Sequence, residues 1–370
     1  MFYLIGIIIS FFLCLLLILK RNKSNADKIL TVWMALIAIH QCLFYVEHSA
    51  YSLQYPHLLG ITFALPLLHG ILLFLYVSEI TTEKPILFQK VFPHFIPFLL
   101  LILLALPFYT LSAHEKVEVF ENEGKGFEWF SLIQFILIVL SGLIYVFFSL
   151  RLIHKYRKNI QYVYSNTDKK NLQWLEYLSI GLGLIWLLVV FFDDWVIFSG
   201  VVVLVLFIGF FGINQLPVFY AHPELKEVTP FQIEKPLLPE MEKSQENISR
   251  YEKSGLKEEE ANQVYELLTS LMEKEALYKK NDLTLDDLAK RINIHPNYLS
   301  QVINQKEQKN FYHYINTLRV EEFIRISSLP KNKQFTLLAL AHDCGFNSKS
   351  TFNKYFKQNT GKTPSEYFNS

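Results

Sequence analysis

Cysteine is scarce in this chain: three residues in 370, with Cys14 and Cys42 inside apolar runs and Cys344 far from both. Neither a disulfide framework nor a clustered metal set can be built from these alone. Other absences narrow the chemistry. There is no Walker-type glycine loop, no Cys-x-x-Cys and no His-Glu-x-x-His, so nucleotide-driven, thiol-redox and zinc-hydrolase chemistry has no visible seat. The expectation is a protein that is not an enzyme and uses no cofactor or metal. Charged residues make up only 19% of the chain, and none of the long apolar runs contains Lys or Arg. A charged conduction path through those runs is therefore poorly supported.

What is present divides unevenly. Residues 1–213 hold 14 basic and 13 acidic residues, whereas the shorter 214–370 holds 21 of each. A hydrophobic half thus precedes a charged half, which excludes both a purely soluble globular protein and a bare channel. A membrane-crossing helix needs about 20 mostly apolar residues. Seven segments qualify, at roughly 2–19, 29–46, 58–79, 91–110, 129–150, 174–192 and 195–213. The last two are separated by Asp193-Asp194, since one continuous helix over both would run about 60 Å, twice the apolar thickness.

Basic residues beside the spans set the orientation. Alternate loops carry twelve, from Lys20 and Arg21 to Lys169 and Lys170, against Lys116 and Lys125 alone on the other side. Positive charge stays in the cytoplasm, which places the N-terminus outside and the charged half inside. The first span has its basic residues after the apolar run rather than before it, so it reads as a retained anchor and not a secretory signal. Among polar residues within the spans, His69 and Gln134 are candidates for signal sensing. The plainer reading is that they hydrogen-bond between helices. Gly181-Leu182-Gly183 reads as a close helix contact.

Residues 214–250 contain Pro217, Pro223, Pro230, Pro236 and Pro239, which discourages helix and sheet and reads as a tether. Beyond it, from 251 to 370, helical periodicity returns. Leu256, Val264, Leu267, Leu268, Leu271 and Met272 mark a scaffold helix that opens on Glu258-Glu259-Glu260. Thr284-Leu285-Asp286-Asp287 has the form of a capping box, Asn293-Ile294 makes a turn, and His295-Pro296 opens a second helix. The outline repeats about 50 residues on. Thr336 opens a short apolar helix, Cys344-Gly345-Phe346 turns, and Asn347-Ser348 caps a helix through Lys357. Between the two units, 311–328 reads as one helix about 27 Å long. Two helix-turn-helix outlines joined by a rigid helix can address adjacent major-groove segments, about 34 Å apart.

The run Gly345-Phe346-Asn347-Ser348-Lys349-Ser350-Thr351-Phe352-Asn353-Lys354-Tyr355-Phe356-Lys357, followed by Thr360-Gly361-Lys362-Thr363-Pro364-Ser365-Glu366-Tyr367, resembles the signature around the second helix-turn-helix of AraC-type transcription regulators. Leu285 to Asn304, with Tyr298-Leu299-Ser300, resembles the first unit. The resemblance implies double-stranded promoter DNA as a partner and RNA polymerase as a further one. More loosely, the apolar half resembles seven-span sensor modules fused to such domains in some bacteria, including the stretch Pro93-His94-Phe95-Ile96-Pro97-Phe98.

Helical phase selects the side chains that face DNA. With Phe352 and Phe356 buried against Phe346, Ser350, Lys354 and Lys357 point away and Asn353 lies at the flank. With Leu299 and Ile303 buried, Asn297, Gln301 and Asn304 point outward and Ser300 lies at the flank. Lys349 is added from the resemblance alone. Asn, Gln and Ser suit base edges, and Lys suits guanine or phosphate. Residues 331–370 hold 6 basic and 2 acidic residues against 11 and 13 in 251–330. The second unit is thus the more cationic, and pairing as a homodimer would compensate for the near-neutral first.

The expectation is an all-α protein: a seven-helix transmembrane sensor bundle (1–213), a linker (214–250) and a cytoplasmic DNA-binding domain (251–370) at the bacterial inner membrane. Its sensor half answers an unidentified ligand or membrane partner. The alternative from another class is a transporter or channel whose cytoplasmic domain no longer binds DNA.

Overall fold

The computed structural model describes residues 2–49, 51, 54–82, 88–168, 170–212 and 258–368. The tether expected at 214–250 lies outside them. The described residues are helical, without a named strand, so the all-α expectation holds. They form two compact units, the first from the described residues up to 156 and of 172–212, the second from those of 157–171 and 258–368.

The first unit contains α1 (Phe2–Leu19), α2 (Asn25–Glu47), α3 (Leu65–Thr81), the short α4 (Phe88–Val91), α5 (Ile96–Tyr109), α6 (Ala113–Glu121), most of α7 (Glu128–Ile160), α8 (Gln173–Phe191) and α9 (Asp194–Gly212). Among the described residues, six helical segments are long and apolar enough to cross a membrane: 25–47, 56–81, 92–109, 128–160, 173–191 and 194–211, with the shorter apolar Leu4–Leu19 before them. Seven spans were expected; length and composition alone support six.

Two boundaries differ clearly from the expected ones, each for a local reason, and the expected break between the last two spans is present. The third span does not start as one helix at 58. Gly60 adopts φ +85°, a left-handed conformation, and two 3-10 turns precede α3, where Pro66 sits in the first turn. The fifth runs 33 residues, about 50 Å, because the helix continues past the apolar window through Arg151, Lys155, Arg157 and Lys158. Basic side chains near its C-terminus suit the helix dipole. The last two spans are separate helices, α8 ending at Phe191 and α9 starting at Asp194.

α1 packs on α2 and α9, α2 on α3, and α8 on α9. Trp33, Met34 and Ala38 are fully buried. A Cβ added at Gly142 would overlap the Trp186 indole, so α7 and α8 approach there only because position 142 has no side chain. Gly181 and Gly183 face Leu204 and Val146 closely, as a tight helix contact requires. Phe147, Phe191, Val203 and Phe210 remain more than half exposed. An apolar exterior of this kind suits lipid rather than water.

The second unit carries α10 (Glu258–Glu275), α11 (Leu285–Arg291), α12 (Pro296–Glu307), α13 (Phe311–Ser327), α14 (Leu337–Asp343), α15 (Lys349–Thr360) and α16 (Pro364–Phe368). Its elements start where the caps are. Thr284 accepts from the Asp287 N–H while the Asp287 carboxylate accepts from the Thr284 N–H, and Thr363 with Glu366 does the same for α16. Each such cap is worth about 1 kcal/mol.

Two cores result. One gathers Leu268, Met272, Leu288, Leu299, Val302, Ile303, Phe311 and Ile315; the other Val320, Phe323, Leu340, Cys344, Phe346, Phe352, Tyr355 and Phe356. α13 contributes to both and so ties them together.

Candidate nucleic-acid interface

Each core holds one helix-turn-helix. In the first, α11 ends at Arg291 and the chain turns through Asn293 at φ +54°. The Ile294 N–H then bonds back to the Ala289 carbonyl at 2.9 Å. The His295 ring nitrogen accepts from the Asn297 N–H at 3.2 Å, and Pro296 occupies the first turn of α12, where its missing N–H costs nothing. In the second, Gly345 turns at φ +94° and the Phe346 N–H bonds to Ala341 at 3.1 Å. Ser348 Oγ accepts from the Thr351 N–H to open α15.

Asn297 is exposed and Gln301 half-buried on α12. Asn304 is half-buried and already donates its amide to the Ser300 carbonyl at 2.9 Å. Ser300 is a correction. It is buried at 4% exposure, because α10, α11 and α13 all pack around α12, and its hydroxyl does not stand on the open face. On α15, Lys349, Ser350, Lys354 and Lys357 are exposed and Asn353 is half-buried. Lys349, added from the resemblance alone, is open to solvent. Phe346, Phe352 and Phe356 are buried together as their spacing demanded. The two faces are thus Asn297-Gln301-Asn304 and Ser350-Lys354-Lys357, each with spacing i, i+4, i+7 on one helix. α13, 17 residues and about 26 Å long, packs on both α12 and α15.

Glu322, nearly buried, accepts from Arg325 and pairs with Lys279 at 2.7 Å, and Arg325 first, then Lys279, holds its carboxyl below the usual range. His313 donates to or accepts from Tyr355 at 3.1 Å. Burial first, then Lys354 and Lys309, pulls its pKa down, which favours the neutral ring. Burial pushes the Cys344 thiol up to about 12, leaving it inert.

The two candidates of the apolar half do not join a common site. The Trp33 indole N–H bonds to His69 Nδ1 at 3.2 Å, and His69 Nε2 meets His40 Nδ1 at 3.0 Å. Gln134 donates to the Phe63 carbonyl at 3.0 Å. Both make the interhelical bonds of the plainer reading. Sequence reasoning missed Arg319. It is 1% exposed and donates five hydrogen bonds, to the carbonyls of Tyr278, Lys280 and Ser165, to Asn316 Oδ1 and to Ser165 Oγ. Burial pulls its pKa down to about 10, so it keeps its charge at neutral pH. Its partners lie 3 to 154 positions away in sequence, and no local pattern announces them.

Comparison with known proteins agrees with this geometry. A family model described as a helix-turn-helix domain matches residues 288–370. YijO of Escherichia coli, an HTH-type transcriptional regulator, is 34% identical over 85 residues, which is 23% of this chain and 29% of that protein. The Msm operon regulatory protein of Streptococcus mutans is 26% identical over 87 residues, 24% of this chain and 30% of that protein. The similarity thus spans under a third of these relatives. No solved structure matches. With two capped helix-turn-helix units joined by α13, and this match over the second and most of the first, the C-terminal part of the chain is an AraC-type helix-turn-helix domain.

Proposed function

We propose that this protein is a membrane-bound, sequence-specific transcription regulator of the bacterial inner membrane. In this reading a signal perceived by the apolar half controls the cytoplasmic DNA-binding domain. The observation that carries it is the pairing, in one chain, of two exposed polar recognition faces with an N-terminal unit whose helices have an apolar exterior. Seven crossings, counting α1, would put the N-terminus outside and the domain inside. His69 and Gln134 are the positions proposed to feel the signal. Since both are already bonded within the bundle, a ligand would act by exchanging those bonds. RNA polymerase and a second copy of the chain are the further proposed partners.

Orientation is tested by fusion. A reporter active only in the periplasm should be active after Glu121 and silent after Lys158, following the twelve-to-two basic asymmetry. The reverse pattern defeats the orientation and strands the domain outside.

Autonomy follows from the two complete cores. Expressed alone, residues 251–370 should be soluble and strongly helical by circular dichroism; a disordered spectrum would show that other parts of the chain complete the fold.

The DNA face is tested on that fragment. Gln301 has both donor and acceptor groups, the equipment for bidentate contact with adenine, so Gln301→Ala should cost about 1–3 kcal/mol and relax preference at one base position. Lys357, at the far end of α15, is placed for phosphate. Lys357→Ala should weaken binding to promoter and scrambled DNA alike and lower the salt slope by about one unit. If both variants bind like the parent across a salt series, the assigned face is wrong.

A further inference from the structure

The segment between α7 and α8 belongs to the second unit, not to the apolar one. It is seated on the helix-turn-helix domain by backbone as well as side-chain bonds. Tyr164 pairs with Thr284 in an isolated antiparallel bridge, with the Ser165 N–H on the Leu283 carbonyl at 3.1 Å and the Leu285 N–H on the Val163 carbonyl at 2.9 Å. Further along, the Gln161 carbonyl accepts from the Tyr312 N–H at 3.0 Å, and its side chain accepts from Asn310.

These acceptors are not placed at random. The first N–H groups of a helix have no partner within it, and Leu285 and Tyr312 are first-turn residues of α11 and α13. The segment therefore supplies what two helix starts lack. At a third, α15, Asp168 accepts from Thr351 Oγ1 at 2.8 Å, a carboxylate in the first turn where the dipole favours it. Ser165, 1% exposed, is held by Arg319 from inside. The segment thus touches the first helix-turn-helix, the joining helix and the second helix-turn-helix together. None of its bonds given above falls on Asn297, Gln301, Ser350, Lys354 or Lys357.

We propose that this face of the DNA-binding domain is a docking surface for the chain's own 161–168 segment, which fixes the two helix-turn-helix units relative to each other and leaves the DNA face open. Because the segment is covalently continuous with α7 and α8, any change in those helices that withdraws it loosens both units at once. This inference rests on the regulator reading for its effect on promoters, while the docking itself does not depend on that reading.

The test uses the full chain in inverted membrane vesicles. Asp168→Cys with Thr351→Cys should form an intramolecular disulfide under mild oxidation in most chains, and neither single variant should. Adding Ser165→Trp, which cannot fit at a buried position, should reduce the cross-link at least tenfold, whereas Ser165→Ala, which keeps the backbone acceptor, should preserve it. In cells, Ser165→Trp should lower promoter occupancy by chromatin precipitation at least fivefold. Protease resistance of 258–368 checks that the domain stays folded; if Ser165→Trp loses it, Gln161→Ala takes its place in the cross-link and Gln161→Ala with Asp168→Ala in the occupancy measurement, and both readouts should fall. The proposal is overturned if no disulfide forms while both cysteines react with a maleimide, or if undocking leaves occupancy unchanged or raises it. If the parent chain occupies no promoter, the regulator reading fails, and the cross-link alone still decides the docking.

Discussion

Gly345→Val is expected to abolish folding of the second helix-turn-helix unit, while Gly361→Ala leaves it folded. Both glycines have positive φ, +94° and +78°. A left-handed conformation costs a side-chain-bearing residue about 1–3 kcal/mol, and a β-branched one is worst placed to adopt it. The sites differ in what surrounds them. A Cβ at 345 would stand 2.7 Å from the Lys279 carbonyl, 2.8 Å from the Tyr278 carbonyl and 3.0 Å from Arg319 Nε, whereas at 361 nothing lies within 4 Å. The carbonyls at 345 are backbone and cannot swing away, so overlap adds to strain. The sum, about 4 kcal/mol or more, consumes most of the 5–15 kcal/mol that holds a typical domain. Urea denaturation of 251–370 followed by circular dichroism should show no cooperative transition for Gly345→Val. For Gly361→Ala it should show a loss of about 1–2 kcal/mol. Equal losses would mean that the close approach of residues 278–279 to the turn is not real.

Arg319→Leu is the second large effect. Leucine fills part of the volume and donates nothing, so the Tyr278 carbonyl and Asn316 Oδ1 lose the Arg319 donor and the Lys280 carbonyl keeps only the Leu283 N–H at the joint between the two cores. Each buried acceptor left bare costs about 1–3 kcal/mol, and a fall of about 2–5 kcal/mol is expected in the fragment. With a urea slope of about 1–2 kcal/mol/M the midpoint should move down by more than 1 M. Arg319→Lys should recover only part of this, since an ammonium cannot reach all the acceptors that the guanidinium fork spans. A neutral Arg319→Leu would show that the three bonds made within the fragment, to Tyr278, Lys280 and Asn316, contribute nothing net to stability, as happens when a buried charge only recovers its own desolvation.

Both sites lie on the same few residues. Gly345, Arg319 and the 278–280 turn form one contact, and Ser165 joins it through the same Arg319 guanidinium. Stability of the joint and docking of the loop are therefore coupled through a single side chain. Substitution at Arg319 should weaken both, whereas Ser165→Trp should undock the loop and spare the first.

How much of this was legible beforehand depends on whether the signal was local. Capping boxes, proline at helix starts, apolar runs and the spacing of Phe346, Phe352 and Phe356 are set by neighbours within a turn or two, and the elements within 258–368 follow them closely. The break at Asp193-Asp194 is likewise local: charge interrupts an apolar run that no bilayer could match in length. Exposure was less well read. Ser300 looked like a flank residue from phase alone, but three neighbouring helices close around α12 and bury it.

The sequence by itself determined the helical class, the AraC-type outline and which side chains of α12 and α15 turn away from the two cores, Ser300 apart, because hydrophobic period and cap chemistry act over a few residues. Only the tertiary structure decided the role of Arg319 and the seat of 161–168. Their bonds join residues up to 154 positions apart, and most of the acceptors are main-chain carbonyls. Every residue carries such a carbonyl, so its identity holds no record of the partner, and the pairing exists only once the helices have brought the two together.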